Sequence, residues 1–78
     1  MKFDYEEEKT EDREVIAQLY WLNGDPDAGE QALCIKTNDP NKFIWMYTTN
    51  PKITVQSTRF AKGAIKKFYK GDKITITF

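Results

Sequence analysis

Short runs in which apolar and polar residues alternate, separated by clusters of Asn, Asp, Gly and Pro, make up most of this chain. Successive side chains of a β-strand point to opposite faces, so alternation by two predicts a strand. Dense turn-forming residues at 23–29 and 38–41 predict connections, and we expect the first strand to form a hairpin with the second. The predicted strands are 2–7, 13–22, 31–37, 42–48, 53–55 and 73–78.

The spacing of apolar residues changes after the fifth predicted strand. Phe60, Ala64 and Phe68 recur at steps of four, which predicts an amphipathic helix over about 58–69. The two hydroxyl residues at its start can cap the free backbone amides of a first turn. Gly71 lies where a left-handed residue would end such a helix.

These elements predict an α+β fold for the whole chain. It consists of a mainly antiparallel, curled sheet of about five or six strands with one amphipathic helix, in the order β-β-β-β-β-α-β. Because 78 residues cannot bury two separate cores, we expect residues 1–78 to form a single small domain. Two Trp, four Tyr and five Phe supply large apolar area, which helps so small a core to form.

Charge is sorted along the chain although the formal net charge is zero. Residues 1–14 hold seven acidic and three basic residues, while residues 49–78 hold seven basic residues and one acidic residue. Such asymmetry points to a charged partner. The acidic segment can be a solvated loop, can neutralise the basic helix, or can present carboxylates to a basic protein. The residues of this segment proposed to contact a partner are Glu6, Glu7, Glu8, Glu11 and Asp12.

The predicted helix carries a basic stripe opposite its apolar side. Together with the aromatic strand that holds Phe43, Trp45 and Tyr47, such a stripe is typical of proteins that bind single-stranded nucleic acid, through phosphate neutralisation and base stacking. The zero net charge disfavours this alternative, because most such modules are basic overall. The residues of the stripe are Arg59, Lys62, Lys66, Lys67 and Lys70.

The chain contains no histidine, which removes the commonest general base and the usual ligand of transition metals. Cys34 lies between Leu33 and Ile35 without a basic neighbour in sequence, so it is predicted to be a structural thiol. We therefore predict that the protein is not an enzyme and has no catalytic residues and no cofactor. A single cysteine, no apolar leader and no apolar run of membrane-spanning length favour a cytoplasmic location.

The turn that follows the second predicted strand places oxygen-bearing side chains at alternate positions, as a calcium loop does. The match then fails, because Ala28 stands where the tight turn needs glycine and Cys34 stands where a bidentate glutamate is required. We therefore predict an acidic turn and no metal site. The residues of this pattern are Asn23, Asp25, Asp27 and Glu30.

The sequence thus favours a small intracellular interaction protein, a regulator or inhibitor that binds and occludes a surface of a larger protein or nucleoprotein. Its expected contacts are the acidic segment and the aromatic pair Trp45 and Tyr47, because Trp and Tyr are preferred anchors of interfaces. Small accessory proteins of viruses or mobile elements are often of this size. The alternatives are a single-stranded nucleic-acid-binding module and a homo-oligomer that pairs edge strands; no membrane partner is expected.

Overall fold

A computed structural model describes residues 2–5, 13–49 and 52–77. Within this part the chain forms seven β-strands and two short 3-10 turns, Leu22–Gly24 and Pro26–Ala28. The strands are β1 Lys2–Tyr5, β2 Val15–Trp21, β3 Gln31–Lys36, β4 Phe43–Tyr47, β5 Ile53–Gln56, β6 Lys66–Tyr69 and β7 Ile74–Thr77.

All strand pairs are antiparallel, and they form two sheets. The larger sheet has the order β5-β4-β3-β2-β6, and β1 pairs with β7 in a separate two-stranded sheet. Short connections join β2, β3, β4 and β5, so these four strands follow one another across the sheet as a meander. The chain then passes from β5 at one edge to β6 at the other through residues 57–65, which we name the crossing segment.

The predicted α+β fold is wrong, because the described residues are almost entirely β and contain no helix over 58–69. Gly63 has a φ of +83°, which interrupts any regular right-handed helix there. The apolar residues that suggested the helix also do not share one side. Phe60 and Ala64 pack against one face of the sheet, whereas Phe68 packs in the cluster on the other face as part of β6.

The expected hairpin between the first two strands is also wrong. β1 pairs with β7 instead, with Lys2 opposite Thr77 and Tyr5 opposite Ile74. This pairing places Phe3, which is buried, over the large sheet rather than at its edge. The other predicted strands are present with slightly different bounds.

Each face of the large sheet carries its own apolar cluster. The first face packs against the β1–β7 sheet, and the second face packs against the crossing segment. A β-bulge between Val15 and Ala17 turns Ile16 toward the first cluster. The buried residues of the first cluster are Phe3, Ala17, Leu19, Leu33, Met46 and Phe68. Those of the second cluster are Tyr20, Ala32, Cys34, Phe43 and Trp45.

The turn between β6 and β7 is fastened to the start of β2 by an ion pair. Arg13 Nη2 donates to Asp72 Oδ1 at 2.7 Å, and Arg13 Nη1 donates to the carbonyl oxygen of Lys70 at 2.6 Å. The other Asp72 oxygen accepts from the Tyr69 amide at 2.8 Å. Gly71 in this turn has a φ of +97°, and a Cβ there would lie 3.0 Å from Arg13 Nη1. Glycine therefore meets both the conformation and the space at this position without strain.

Candidate functional site

A row of aromatic rings stands on the second face of the sheet. The ring centroids of Tyr20 and Trp45 are 5.8 Å apart with planes inclined by 28°, and those of Trp45 and Tyr47 are 6.3 Å apart with planes inclined by 17°. Tyr20 lies on β2 and the other two rings on β4, with the small residues Ala32 and Cys34 between them on β3. These small side chains leave the room in which the rings of β2 and β4 meet.

The crossing segment is held against this row by the polar atoms of two of the rings. Trp45 Nε1–H donates to the carbonyl oxygen of Thr58 at 2.9 Å. The Tyr20 hydroxyl accepts from the amide of Ala61 at 2.9 Å and donates to Oε1 of Gln18 at 2.6 Å. Burial raises the pKa of the Tyr20 hydroxyl above its usual value, so it remains a neutral donor.

The aromatic row forms the floor of an open cleft of about 480 Å³, which we name the aromatic cleft. Its floor is made by Tyr20, Ala32, Trp45 and Tyr47, and residues 21–24 and 61–63 make its two walls. Both walls turn through left-handed residues, since Asn23, Gly24 and Gly63 all have positive φ values. A Cβ at either glycine would meet nothing within 4 Å, so these walls stand open toward the cleft and the solvent.

The aromatic cleft is apolar inside, and its charged groups lie at its margin. Lys62 is the charged residue among those that line it, and it is exposed. The connection that leaves the opposite wall carries Asp25 and Asp27, which are also exposed, and Glu30. Asp25 Oδ1 accepts from the amide of Asp27 at 3.0 Å, so this carboxylate shapes its own turn. The arrangement suits an apolar ligand that carries few charges where it contacts the floor.

The predicted aromatic contacts belong to this cleft, but they are unequally accessible. Trp45 is only 7% exposed and lies in the floor, with its indole N–H already bonded to the crossing segment. Tyr47 is half-buried at the open end of the row. The predicted acidic contacts Glu6, Glu7, Glu8, Glu11 and Asp12 lie outside the described residues.

The predicted basic residues do not form one stripe, because the helix that was to align them is absent. Lys66 and Lys67 point to opposite faces of β6, opposite Leu19 and Gln18 of β2. Arg59 Nη2 donates to Asn41 Oδ1 at 3.3 Å, away from the cleft lining. Lys70 follows β6 in the turn fastened by Arg13, and Lys62 alone of the five lines the cleft.

Tyr20 and, apart from Lys62, the two walls of the cleft were not among the contacts predicted from the sequence. Asn23-Gly24 and Gly63 carried a signal, since residues that accept positive φ often mark places where the backbone turns sharply. The second face of β2 was also visible as a partly apolar alternation that includes Tyr20. The meeting of the two walls was not visible, because it depends on where the crossing segment lies.

Metal binding and thiol chemistry are the other two reactivities that the structure addresses. Among residues 2–5, 13–49 and 52–77, no group of three or more His, Cys, Asp or Glu side chains is placed to hold a metal ion. Cys34 is fully buried in the second cluster, and this burial raises the pKa of its thiol to about 12. A thiol with so high a pKa is a poor nucleophile.

Among residues 2–5, 13–49 and 52–77 there is no helix long and apolar enough to cross a membrane.

Comparison of the chain with protein-family models, with curated proteins and with solved structures finds no match. The aromatic cleft and the charges that surround it are therefore the features that bear on function.

Proposed function

We propose that this protein is a small, non-enzymatic interaction protein that holds an extended segment of a larger protein in the aromatic cleft. By binding that segment and occluding it, the protein acts as a regulator or inhibitor of the partner. The aromatic cleft is the observation that carries the proposal, because it joins an apolar aromatic floor to two open walls. We further propose an intracellular, cytoplasmic location, since the one cysteine of the chain is a buried free thiol.

The chemistry of the floor favours a proline-rich segment. Proline-rich segments adopt the extended polyproline II conformation and dock in grooves lined by aromatic rings, with little loss of conformational entropy. Tyr20, Trp45 and Tyr47 supply such rings in one row. Asp25 and Asp27 beside one wall favour a ligand with a basic residue next to its prolines. The acidic segment, residues 6–12, lies outside the described residues, and its sequence by itself also favours a basic partner.

A nucleic-acid ligand fits the same cleft less well. Stacking of successive bases needs a free ring face for each base, whereas Tyr20 and Trp45 are each only 7% exposed and Trp45 already stacks with both tyrosines. One lysine lines the cleft, and the nearby acidic turn would repel a phosphate backbone. These observations favour the protein ligand over the nucleic-acid alternative.

The test is a titration of the ¹⁵N-labelled protein with two probes, followed by NMR. The first probe is a set of proline-rich peptides with an arginine at either end, and the second is oligothymidylate. We expect the peptides to shift the amides of Trp21, Tyr47 and Lys62, and oligothymidylate to leave them unchanged. Peptides that shift no cleft amide would overturn the proposal. Shifts caused by oligothymidylate, with affinity falling linearly against the logarithm of salt, would support the nucleic-acid alternative instead.

A matched pair of variants separates the cleft from the rest of the surface. Tyr47→Ala removes a half-buried ring from the open end of the cleft, and Tyr69→Ala removes a half-buried ring from β6. We expect Tyr47→Ala to weaken peptide binding about tenfold or more, since tyrosines are frequent anchors of interfaces. Tyr69→Ala is the control and should keep the affinity of the unaltered protein. Equal losses in the two variants would show that the effect comes from general destabilisation.

A further inference from the structure

One edge of the large sheet is open and apolar. β5 pairs with β4 on one side, and no described strand pairs with its other side. Ile53 and Val55 are 59% and 63% exposed, although both are large apolar residues. They share the first face with Ile44 and Met46, their partners on β4, and extend its apolar surface to the edge.

β5 is only four residues long and follows Pro51 and Lys52, but within the strand it lacks the other features by which proteins usually protect an edge. Lysine, proline, a bulge or an inward-pointing charge normally prevents another chain from pairing there. Between Ile53 and Gln56 the strand has no charged residue and no proline, and its register with β4 shows no bulge. The opposite edge of the same sheet is β6, which begins with Lys66 and Lys67. The two edges therefore differ, and β5 is the one suited to pairing.

We propose that β5 pairs antiparallel with β5 of a second copy of this chain, so that the two large sheets become one. The strand is complementary to itself. Thr54 then lies on the two-fold axis, opposite Thr54 of the second copy. Ile53 lies opposite the second copy's Val55, and Val55 opposite the second copy's Ile53, all on the same face. Lys52 then lies opposite Gln56, and no like charges meet. This pairing buries both exposed side chains against apolar partners, and it holds whether or not the aromatic cleft binds a peptide.

The size of the surface predicts a weak dimer. Stable interfaces bury roughly 1,200–2,000 Å² in total, which a strand of four residues with two exposed apolar side chains does not supply. We therefore expect monomer at low micromolar concentration and dimer toward millimolar concentration. A weak, concentration-dependent association of this kind is measured by sedimentation equilibrium.

The first experiment compares three proteins by sedimentation equilibrium from micromolar to millimolar concentration. Val55→Lys places a charge on the proposed edge, and Ile65→Lys makes the same kind of change at a residue that is 36% exposed outside β5. The unaltered protein and Ile65→Lys should approach twice the monomer mass, and Val55→Lys should stay monomeric. A monomeric unaltered protein at millimolar concentration would overturn the proposal, as would a dimer that Val55→Lys leaves intact.

The second experiment tests the register by disulfide trapping. Opposed residues of antiparallel strands have Cα atoms about 4.5–5.5 Å apart, which a disulfide spans, so Thr54→Cys should cross-link across the two-fold axis. Val55→Cys is the control, because its diagonal distance to the same residue of the second copy is about 7–8 Å. Buried Cys34 does not compete. Cross-linking by Val55→Cys but not by Thr54→Cys would refute the proposed register.

Discussion

The Tyr20 hydroxyl joins β2 to the crossing segment, and its removal in Tyr20→Phe tests how that segment is held. The hydroxyl donates to Gln18 Oε1 at 2.6 Å and accepts from the Ala61 amide at 2.9 Å. Each such hydrogen bond contributes about 1 kcal/mol to the free energy of unfolding, so the variant should lose about 2 kcal/mol. Gln18 is only 9% exposed, and leaving its amide oxygen without this partner adds to the loss.

Urea unfolding at constant temperature measures this change. We expect the midpoint to fall while the slope of the transition stays the same, because phenylalanine preserves the buried ring and therefore the compactness of the folded state. The thermal midpoint should fall by about 10 °C, given roughly 4–8 °C for each kcal/mol in a domain of this size. Hydrogen exchange of the Ala61 amide should accelerate, since this amide loses its acceptor.

Tyr47→Phe is the matched control for this prediction. Tyr47 belongs to the same aromatic row, but its hydroxyl makes no hydrogen bond to any residue that the structure describes. Removal of that hydroxyl should change the free energy of unfolding by less than about 0.5 kcal/mol. The reasoning would be refuted if both variants lost the same stability, or if Ala61 kept its protection in Tyr20→Phe.

Three further predictions concern the turn after β6 and the buried thiol. A backbone amide and the Arg13 guanidinium lower the pKa of Asp72, so its contribution to stability is complete above about pH 3.9 and is lost as the pH falls through the lower folded-state pKa. Thermal midpoints measured from neutral to strongly acidic pH should therefore fall less steeply for Asp72→Asn than for the unaltered protein. Cys34 should resist maleimide at about pH 8 in the folded protein and react fully in denaturant, as followed by mass spectrometry. Gly71→Ala should lower the free energy of unfolding, measured in urea, by about 1 kcal/mol more than Gly63→Ala does. Both positions have positive φ, but only at Gly71 would a Cβ lie 3.0 Å from Arg13 Nη1. Equal decreases in the two variants would contradict this.

Local patterns were sufficient to predict the positions of β2, β3, β4 and β5, although not their order in the sheet. Each of these strands alternates within itself and is bounded by turn residues, so its position depends on few distant contacts. The segment 58–69 was predicted wrongly because a step of four suits two different structures. Here Phe60 and Ala64 cover one face of the sheet from outside, and Phe68 lies within a strand that faces the other way. Periodicity alone does not distinguish that arrangement from a helix.

The candidate site was predictable only in part, for a related reason. The alternation of β4 brought Trp45 and Tyr47 to one face, and the sequence analysis selected both as contacts. The rest of the cleft depends on a long-range contact, in which the backbone at Ala61 reaches the Tyr20 hydroxyl across 41 positions of sequence. No local pattern encodes such a contact, and the burial of Trp45 follows from it.

The pairing of β1 with β7 has a consequence for the time course of folding. β1 and β7 come from opposite ends of the described residues, so their pairing closes a long loop and is expected to form more slowly than the short hairpins of the meander. Until that pairing forms, Leu19 and Leu33 on the first face have no β1–β7 sheet above them. A folding chain therefore passes through an interval with an uncovered apolar sheet face, which chaperones or other unfolded chains can bind. The pairing of β1 with β7 ends that interval.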